Sequence, residues 1–255
     1  MMKRKKPFAS VSFSWLLPNL LTIGGLVSGL TGLRFALEGR FEATLVMIAL
    51  AAIFDGLDGR MARLLKSTSA FGAALDSLSD AVVFGIVPAL SLYLWALQDS
   101  GNLAFGTALF YSVCVLLRLA RFDSELPDQP EYRQAFFVGI PAPAAAFLVL
   151  VPIVIYQEFS FMWLREPMLV SAVLIITGAG AVSTMPTFNG KKMRVPGSAI
   201  LPLLAVFALF AGLIFTHPWK LYLLVAALYT ASFPFSLWVF MGRAKRYKSE
   251  LPEPE

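Results

Sequence analysis

Residues 54–80 read FDGLDGRMARLLKSTSAFGAALDSLSD, and they set four aspartates into otherwise apolar sequence: Asp55, Asp58, Asp76 and Asp80. Between residues 43 and 98 these are the only acidic side chains. A carboxylate at bilayer depth costs roughly 2.5–3.5 kcal/mol, so four of them need a compensating charge. Bound cations are the simplest source of that charge, because they replace the solvation that burial removes.

The composition of the whole chain is that of an integral membrane protein. Of its 255 residues, 58% are hydrophobic and 15% are charged, against about 25% charged in soluble domains. Mean hydropathy is +0.72. The net charge of +5 does not indicate nucleic-acid binding, because the basic residues flank apolar spans. A single cysteine, Cys114, excludes an intrachain disulfide, and a single histidine, His217, cannot build a zinc site.

Eight apolar stretches of about 20 residues are each long enough to cross a bilayer as a helix. They lie at 16–37, 42–64, 71–97, 103–121, 137–157, 167–184, 198–216 and 219–241. No repeat or long linker divides them. We therefore predict an all-α bundle of about eight transmembrane helices, with one membrane domain over residues 1–242 and a polar cytoplasmic tail over 243–255.

The distribution of lysine and arginine predicts the orientation. With the N-terminus inside, four of the 21 basic residues fall on the outer side and the other 17 on the inner side. The outer four are Arg34, Arg40, Arg165 and Lys220. This is a strong positive-inside bias, so we expect a protein of the inner (cytoplasmic) membrane with both termini in the cytoplasm. The turn at residues 65–70, and with it the aspartate cluster, then lies near the cytoplasmic surface.

The spacing of the aspartates predicts a metal site. Asp55 and Asp58 are three residues apart, and Asp76 and Asp80 four apart, so each pair lies on one face of its helix. The short turn between the helices makes them antiparallel neighbours whose carboxylates can converge. Four carboxylates balance two divalent cations, and oxygen ligands alone favour Mg²⁺, Mn²⁺ or Ca²⁺ over zinc. Paired cations are suited to phosphoryl transfer.

Small residues and one arginine accompany the aspartates, and each has two interpretations. Gly59, Ala62 and Gly72 either leave room for a planar or sugar-phosphate ligand or allow close helix packing. Arg63 either clamps a phosphate or extends along the membrane interface as a snorkelling side chain. In combination with the aspartates, the ligand-binding interpretation is favoured.

The pattern D-x2-D-G-x2-A-R-x8-G-x3-D-x3-D over residues 55–80 resembles the signature of the CDP-alcohol phosphatidyltransferase family at every motif position. The resemblance implies a six-helix catalytic core, often in a homodimer, that transfers a phosphatidyl group from CDP-diacylglycerol to an alcohol and releases CMP. It implies two divalent cations, Mg²⁺ or Mn²⁺. Asp55, Asp58 and Asp76 would bind the first cation. Asp55, Asp76 and Asp80 would bind or border the second, with Asp80 also accepting the proton of the alcohol.

The resemblance also implies contacts to the CDP-lipid. Gly59, Arg63 and Ser69 occupy the corresponding positions after the first aspartate pair. Residues 18–22, Pro-Asn-Leu-Leu-Thr, are similar to the family's first-helix motif, in which Asn19 would reach the nucleotide or the diphosphate.

The acceptor alcohol is predicted to be L-serine. Residues 54–60, 75–80, 118–122 and 139–144 are similar to the membrane-bound, phosphatidylserine-forming branch of the family. Arg118 and Arg121 lie one turn apart at the cytoplasmic end of the fourth span, where an arginine could neutralise the serine carboxylate. The other interpretation of this pair is that both arginines are interface anchors.

Two alternatives remain open from the sequence. The first keeps the chemistry and changes the acceptor to glycerol 3-phosphate, inositol phosphate or choline. A phosphorylated acceptor would need more cationic residues at the site, and choline would need an aromatic cage. The second alternative is a divalent-cation transporter, which would explain the aspartates but gives Gly59, Arg63 and Gly72 no role and lacks an inverted repeat of the cluster.

Overall fold

The computed structural model describes residues 13–124, 136–188 and 199–250, and helices dominate these ranges. In chain order the elements are α1 (Phe13–Leu37), α2 (Phe41–Leu64), α3 (Ala70–Asp80), the π-helix π1 (Ala81–Ile86), α4 (Val87–Leu92), the π-helix π2 (Tyr93–Leu97), α5 (Gly101–Ser124), β1 (Phe136–Val138), α6 (Ala142–Val149), α7 (Val151–Phe159), a 3-10 helix (Met162–Arg165), α8 (Pro167–Val182), β2 (Pro186–Phe188), α9 (Ile200–Thr216) and α10 (Pro218–Glu250). The predicted all-α membrane class is confirmed.

Each of the eight predicted spans coincides with a helical segment of the described ranges. Five of these segments are long and apolar enough to cross a membrane, by length and composition: Phe13–Leu37, Ala70–Leu97, Gly101–Arg121, Ala142–Phe159 and Pro218–Phe240. The helices α8 and α9 are apolar but shorter. Helix α2 has 24 residues, and its C-terminal half carries the charges of the aspartate motif. The count of eight spans therefore stays a prediction for these three segments.

The fifth span begins later than the sequence predicts, because residues 136–138 pair with residues 186–188 as an antiparallel two-stranded sheet. Gly139 follows the first strand with a φ of +75°, and a Cβ there would lie 2.4 Å from the carbonyl oxygen of Ala181. Only glycine satisfies both conditions. Pro141 then disfavours a helical Ile140, so the helix starts at Ala142.

The two π-helical segments lie in the long helix that carries Asp76 and Asp80. Pro88 has no N–H, so the carbonyl of Phe84 loses its helical donor four residues ahead. The Tyr111 hydroxyl of α5 donates to that carbonyl at 3.0 Å, and the Ser112 hydroxyl donates to the Gly85 carbonyl at 3.1 Å. Tyr111 is fully buried. These bonds attach α5 to π1 directly after Asp80.

The core lies among the elements from α1 to α8 and includes Phe84, Leu92, Tyr111 and Leu174. These elements form the first six helical segments of the described ranges: α1, α2, α3 to π2, α5, α6 with α7, and α8. Outside it, α9 has no buried residue, and α10 is mostly exposed along its apolar part. Helix α10 continues to Glu250 and so extends through the first residues of the predicted tail at 243–255. The boundary between domain and tail stays a prediction.

Candidate metal centre and nucleotide cavity

Three of the four aspartates converge where α2 and α3 meet. Asp55 of α2 and Asp76 and Asp80 of α3 each place one carboxylate oxygen within 4.8 Å of the others. All three side chains are half-buried. Oxygens at this separation can share a cation, because Mg²⁺ and Ca²⁺ bind oxygen at about 2.0–2.6 Å.

A cavity of about 10 Å³ adjoins these carboxylates and is lined by all four aspartates together with Thr22 and Ser79. Its volume is comparable to about one water molecule, at roughly 10–15 Å³, which is also suitable for an ion. The side chains of this lining that could ligate a cation offer oxygen atoms alone, and this donor set and volume fit a hard divalent cation.

Asp58 has a different environment from the other three aspartates. It is only 4% exposed and accepts a hydrogen bond from the Thr22 hydroxyl at 2.5 Å. That hydroxyl also lies 3.2 Å from the Pro18 carbonyl, but it has one hydrogen and the shorter contact is to Asp58. Asp58 borders the small cavity without joining the converged oxygens, so its predicted role as a ligand of the first cation stays a prediction.

A second cavity, of about 240 Å³, lies directly beside the carboxylate cluster. We call it the large cavity, to distinguish it from the small cavity of about 10 Å³. Its lining comes from three elements and the turn between α2 and α3: Pro18, Asn19, Thr22, Asp58, Gly59, Ala62, Arg63, Ser67, Thr68, Ser69, Gly72, Ala73 and Asp76. Thr22, Asp58 and Asp76 line both cavities, so they form the shared wall. All four residues that the sequence assigns to the CDP-lipid are in this lining: Asn19, Gly59, Arg63 and Ser69.

The structure separates the two interpretations of the small residues. A Cβ at Gly59 would meet no atom within 4 Å, so this glycine does not serve helix packing. A Cβ at Gly72 would lie 3.2 Å from both the Asn19 Oδ1 and the Ser69 Oγ, so Gly72 allows α1 and α3 to approach closely. Gly59 therefore keeps space open in the cavity, and Gly72 allows the cavity wall to form.

Arg63 lies at the end of α2 and is exposed at the rim of the large cavity. The chain then turns through Lys66, whose φ of +50° is in the left-handed region. Ser69 ends the turn as the N-cap of α3, and its hydroxyl accepts from the Gly72 N–H at 3.0 Å. The end of α2 and the turn after it therefore present the guanidinium group of Arg63 and the capping hydroxyl of Ser69 to the large cavity.

Arg118 and Arg121 do not line either cavity, and their environments differ. Arg121 donates to the carbonyl oxygens of Val182 and Ser183, each at 3.1 Å, and to that of Val138 at 3.4 Å. It thereby connects α5 to the C-terminal end of α8 and to β1. Arg118 is 8% exposed and lies one turn earlier on α5.

The position of Arg118 relative to the aspartates follows from the contact between α5 and π1. The long helix that contains π1 ends at Leu97 and is joined to α5 by a short turn, so the two run antiparallel, with Ser112 beside Gly85. Residues later in α5 therefore lie beside residues earlier in the long helix, so Arg118 is on the Asp80 side of this contact.

Sequence reasoning missed two residues of the site. Thr22 is part of the quoted first-helix motif, three residues after Asn19 and so on the same helix face, but it was given no role. Trp15, one turn before Asn19, donates its indole N–H to Ser69 at 3.1 Å. Its helical spacing from Asn19 is the only signal in the sequence that could have indicated it.

Comparison with known proteins gives one family. A match to the CDP-alcohol phosphatidyltransferase family covers residues 15–182, from α1 to the end of α8. The chain is 37% identical over 240 residues to a CDP-diacylglycerol–serine O-phosphatidyltransferase of Mycobacterium tuberculosis (strain ATCC 25618 / H37Rv), covering 93% of this chain and 82% of the relative.

Two further relatives are also CDP-diacylglycerol–serine O-phosphatidyltransferases. The protein of Helicobacter pylori (strain J99 / ATCC 700824) is 30% identical over 227 residues, covering 89% of this chain and 92% of the relative. That of Methanocaldococcus jannaschii is 40% identical over 134 residues, covering 51% of this chain and 60% of the relative. The similarity therefore extends across bacterial and archaeal proteins.

Proposed function

The chain belongs to the CDP-alcohol phosphatidyltransferase family, and from that membership we propose that it transfers the phosphatidyl group of CDP-diacylglycerol to L-serine, giving phosphatidylserine and CMP. The observation that carries the proposal is the pairing of a nucleotide-sized cavity with a converged carboxylate cluster, separated only by Thr22, Asp58 and Asp76. The relatives that are CDP-diacylglycerol–serine O-phosphatidyltransferases, similar over most of both chains, support serine as the acceptor.

Two divalent cations, Mg²⁺ or Mn²⁺, would be held by the four aspartates: Asp55, Asp58 and Asp76 would hold the first, and Asp55, Asp76 and Asp80 would hold or border the second. When bound, they would offset the carboxylate charge and stabilise the negative charge that develops on the diphosphate. The oxygen-only donor set supports this assignment.

The protein's own residues bind and orient the CDP-lipid. Asn19 and Ser69 line the large cavity as hydrogen-bonding groups, and Gly59 leaves the space that the ligand occupies. Arg63, at the exposed rim, offers its guanidinium to a phosphate. The diacylglycerol part extends into the inner leaflet, where α1 and α3 present exposed apolar side chains such as Leu20 and Leu78.

The transfer step needs a base beside the reacting phosphorus. Asp80 accepts the proton of the serine hydroxyl, and the serine oxygen forms a bond to the lipid-linked phosphorus. The bond from that phosphorus to the CMP oxygen breaks, and CMP leaves with the electron pair, its charge held in part by Arg63. The mechanism is sequential because serine attacks directly and no phosphatidyl-enzyme forms.

Arg118 is the candidate that we assign to the serine carboxylate. It is buried and lies on the Asp80 side of the contact between α5 and π1. Arg121 donates to the backbone carbonyls of Val182, Ser183 and Val138. A buried guanidinium forms strong charge-assisted bonds to a carboxylate. Arg121 then acts as a positioning residue that holds α5, β1 and α8 together.

In this proposal the protein lies in the inner (cytoplasmic) membrane. The site faces the cytoplasm, and both termini lie on the cytoplasmic side. The last turns of α2 and the turn that follows carry Arg60, Arg63 and Lys66, as positive-inside orientation requires. The family resemblance further supports a homodimer.

One assay tests the proposed function. Purified protein is incubated with labelled CDP-diacylglycerol, Mg²⁺ or Mn²⁺, and a panel of serine, glycerol 3-phosphate, inositol phosphate and choline, and CMP release is measured. We expect serine to give the fastest release and phosphatidylserine as the labelled product. Faster release with another alcohol would overturn the acceptor, and no release with any of them would overturn the transferase assignment.

A further inference from the structure

The Ser69 hydroxyl has one hydrogen-bonding capacity left, and it is the capacity to donate. Its oxygen accepts from the Gly72 backbone N–H at 3.0 Å and from the Trp15 indole N–H at 3.1 Å. A serine hydroxyl has two acceptor positions and one hydrogen, so both acceptor positions are occupied. Among the described residues, the Ser69 hydroxyl makes these two bonds as an acceptor and none as a donor.

The surroundings of Ser69 favour an anionic acceptor for this hydrogen. Ser69 lines the large cavity together with Arg63, which supplies positive charge at the rim. It also begins α3, an 11-residue helix whose N-terminal end favours negative charge. An oxygen that already accepts two hydrogen bonds is a stronger donor through its own O–H, because hydrogen bonds polarise one another.

A second contact, with Phe71, fixes the position of the Trp15 ring and therefore supports its hydrogen bond to Ser69. Its ring packs on Phe71 with centroids 5.6 Å apart and the planes tilted by 35°. An indole N–H is a donor only, so it can serve Ser69 as a donor and in no other way. A tryptophan that only anchors the protein at the membrane interface would direct this N–H to water or lipid headgroups.

We propose that Trp15 is a positioning residue that orients the Ser69 hydroxyl to donate to a phosphate oxygen of the bound CDP-lipid. The identity of the ligand rests on the proposed function, whereas the geometry of donor and acceptor does not. The consequence is that Trp15 and Ser69 act as one unit on nucleotide affinity, although Trp15 does not line the cavity.

The test measures CDP affinity by calorimetry and the two KM values by CMP release in a set of full-length variants. Trp15→Phe keeps an aromatic ring on Phe71 but loses the N–H. We expect it to weaken CDP binding and raise the KM for CDP-diacylglycerol by about 2- to 10-fold, with the serine KM unchanged. Ser69→Ala should weaken CDP binding by about 10- to 100-fold, since it loses a charge-assisted bond.

The double variant supplies the readout that a merely structural tryptophan would not change. If Trp15 acts through Ser69, Trp15→Phe should have no further effect on CDP affinity in the Ser69→Ala background. Trp238→Phe is the matched control, because Trp238 is 69% exposed on α10, and it should bind CDP as the unchanged protein does. The inference is overturned if Trp15→Phe leaves CDP affinity unchanged, or if it weakens binding by the same factor in both backgrounds.

A second substitution keeps the proposal testable if Ser69→Ala unfolds. Ser69→Asp retains a good N-cap acceptor for Gly72 but has no hydrogen to donate and adds a negative charge. We expect normal thermal stability and loss of CDP binding, and CDP binding at the original affinity would overturn the inference. Failure of the proposed function shows separately, as absence of CMP release by the unchanged protein with every alcohol.

Discussion

At the scale of single residues, the four aspartates of one motif have two kinds of environment. Asp55, Asp76 and Asp80 converge on a space of ionic size, whereas Asp58 is buried against the Thr22 hydroxyl. A buried carboxylate needs a donor or a cation, and here the first helix provides the donor. The four carboxylates of the motif therefore differ in burial and hydrogen bonding, and the role of Asp58 as a ligand of the first cation stays a prediction.

Asp80 is the residue on which turnover should depend most directly. Asp80→Asn cannot accept the serine proton, so we expect turnover to fall by roughly 10²–10⁴. Binding of the CDP-lipid should remain, because Asp80 does not line the large cavity. Steady-state CMP release and CDP calorimetry check the two parts. Turnover within about tenfold of the unchanged protein would contradict the role of Asp80 as the general base.

The two site glycines should respond in opposite ways to the same added methyl group. Gly59→Ala should keep or raise thermal stability, since alanine favours a helix by about 1 kcal/mol over glycine, but it should weaken CDP binding by occupying the cavity. Gly72→Ala should lower the Tm, because the methyl group would press on Asn19 and Ser69. Thermal unfolding with and without CDP separates the effects. A loss of stability in Gly59→Ala would indicate that Gly59 serves packing after all.

At the scale of elements, the long helix after Asp80 is shaped by its neighbour as much as by its own sequence. Pro88 cannot serve as the α-helical donor to the Phe84 carbonyl, and the Tyr111 hydroxyl of α5 donates to that carbonyl. The π-helical segment and α5 are therefore attached by hydrogen bonds as well as by apolar packing. Because Arg118 and Arg121 lie further along the same helix, this attachment also sets their positions relative to Asp80.

Arg118 and Arg121, although one turn apart, should give different defects. Arg118→Ala should raise the serine KM by about 10- to 150-fold and leave the KM for CDP-diacylglycerol nearly unchanged, with partial rescue by Arg118→Lys. Arg121→Ala should instead lower the Tm, because it removes donors from the carbonyls of Val182, Ser183 and Val138. Both KM values and thermal unfolding are measured on each variant. An unchanged serine KM in Arg118→Ala would place the carboxylate site elsewhere.

At the scale of the whole molecule, a compact group of six helical segments carries the site and two further helices lie outside it. The family match ends at residue 182, the last residue of α8. Beyond it, α9 buries none of its residues and α10 contacts the core through side chains such as Tyr222, whose ring stacks on Phe147. The candidate site therefore lies within the first six segments.

The orientation of the whole bundle gives a prediction that depends on no catalytic residue. In a Cys114→Ser background, Lys66→Cys lies in the turn beside the site, and Glu38→Cys lies in the turn at the opposite end of α2. A membrane-impermeant maleimide should label Glu38→Cys in intact cells and Lys66→Cys only after lysis. The reverse pattern would invert the topology and place the site outside the cytoplasm.

The sequence by itself indicated the helical class, the approximate position of each helical segment and most residues of the candidate site. Hydrophobic length and charge are properties of continuous segments, and the spacing of Asp55, Asp58, Asp76 and Asp80 places each pair on one helix face whatever the rest of the chain does. The start of the fifth span was misplaced, because residues 136–138 satisfy their backbone groups on a strand 50 residues later.

Only the tertiary structure decided which side chains share a hydrogen bond across helices. Thr22 meets Asp58, Trp15 meets Ser69, and Arg121 meets Val182, and in each case the partners are on different helices far apart in the chain. Periodicity gives the face of a helix but not its rotation or depth against a neighbour. Those are set by close contacts such as that of Gly72 with Asn19, which depend on the packing of all the helices together.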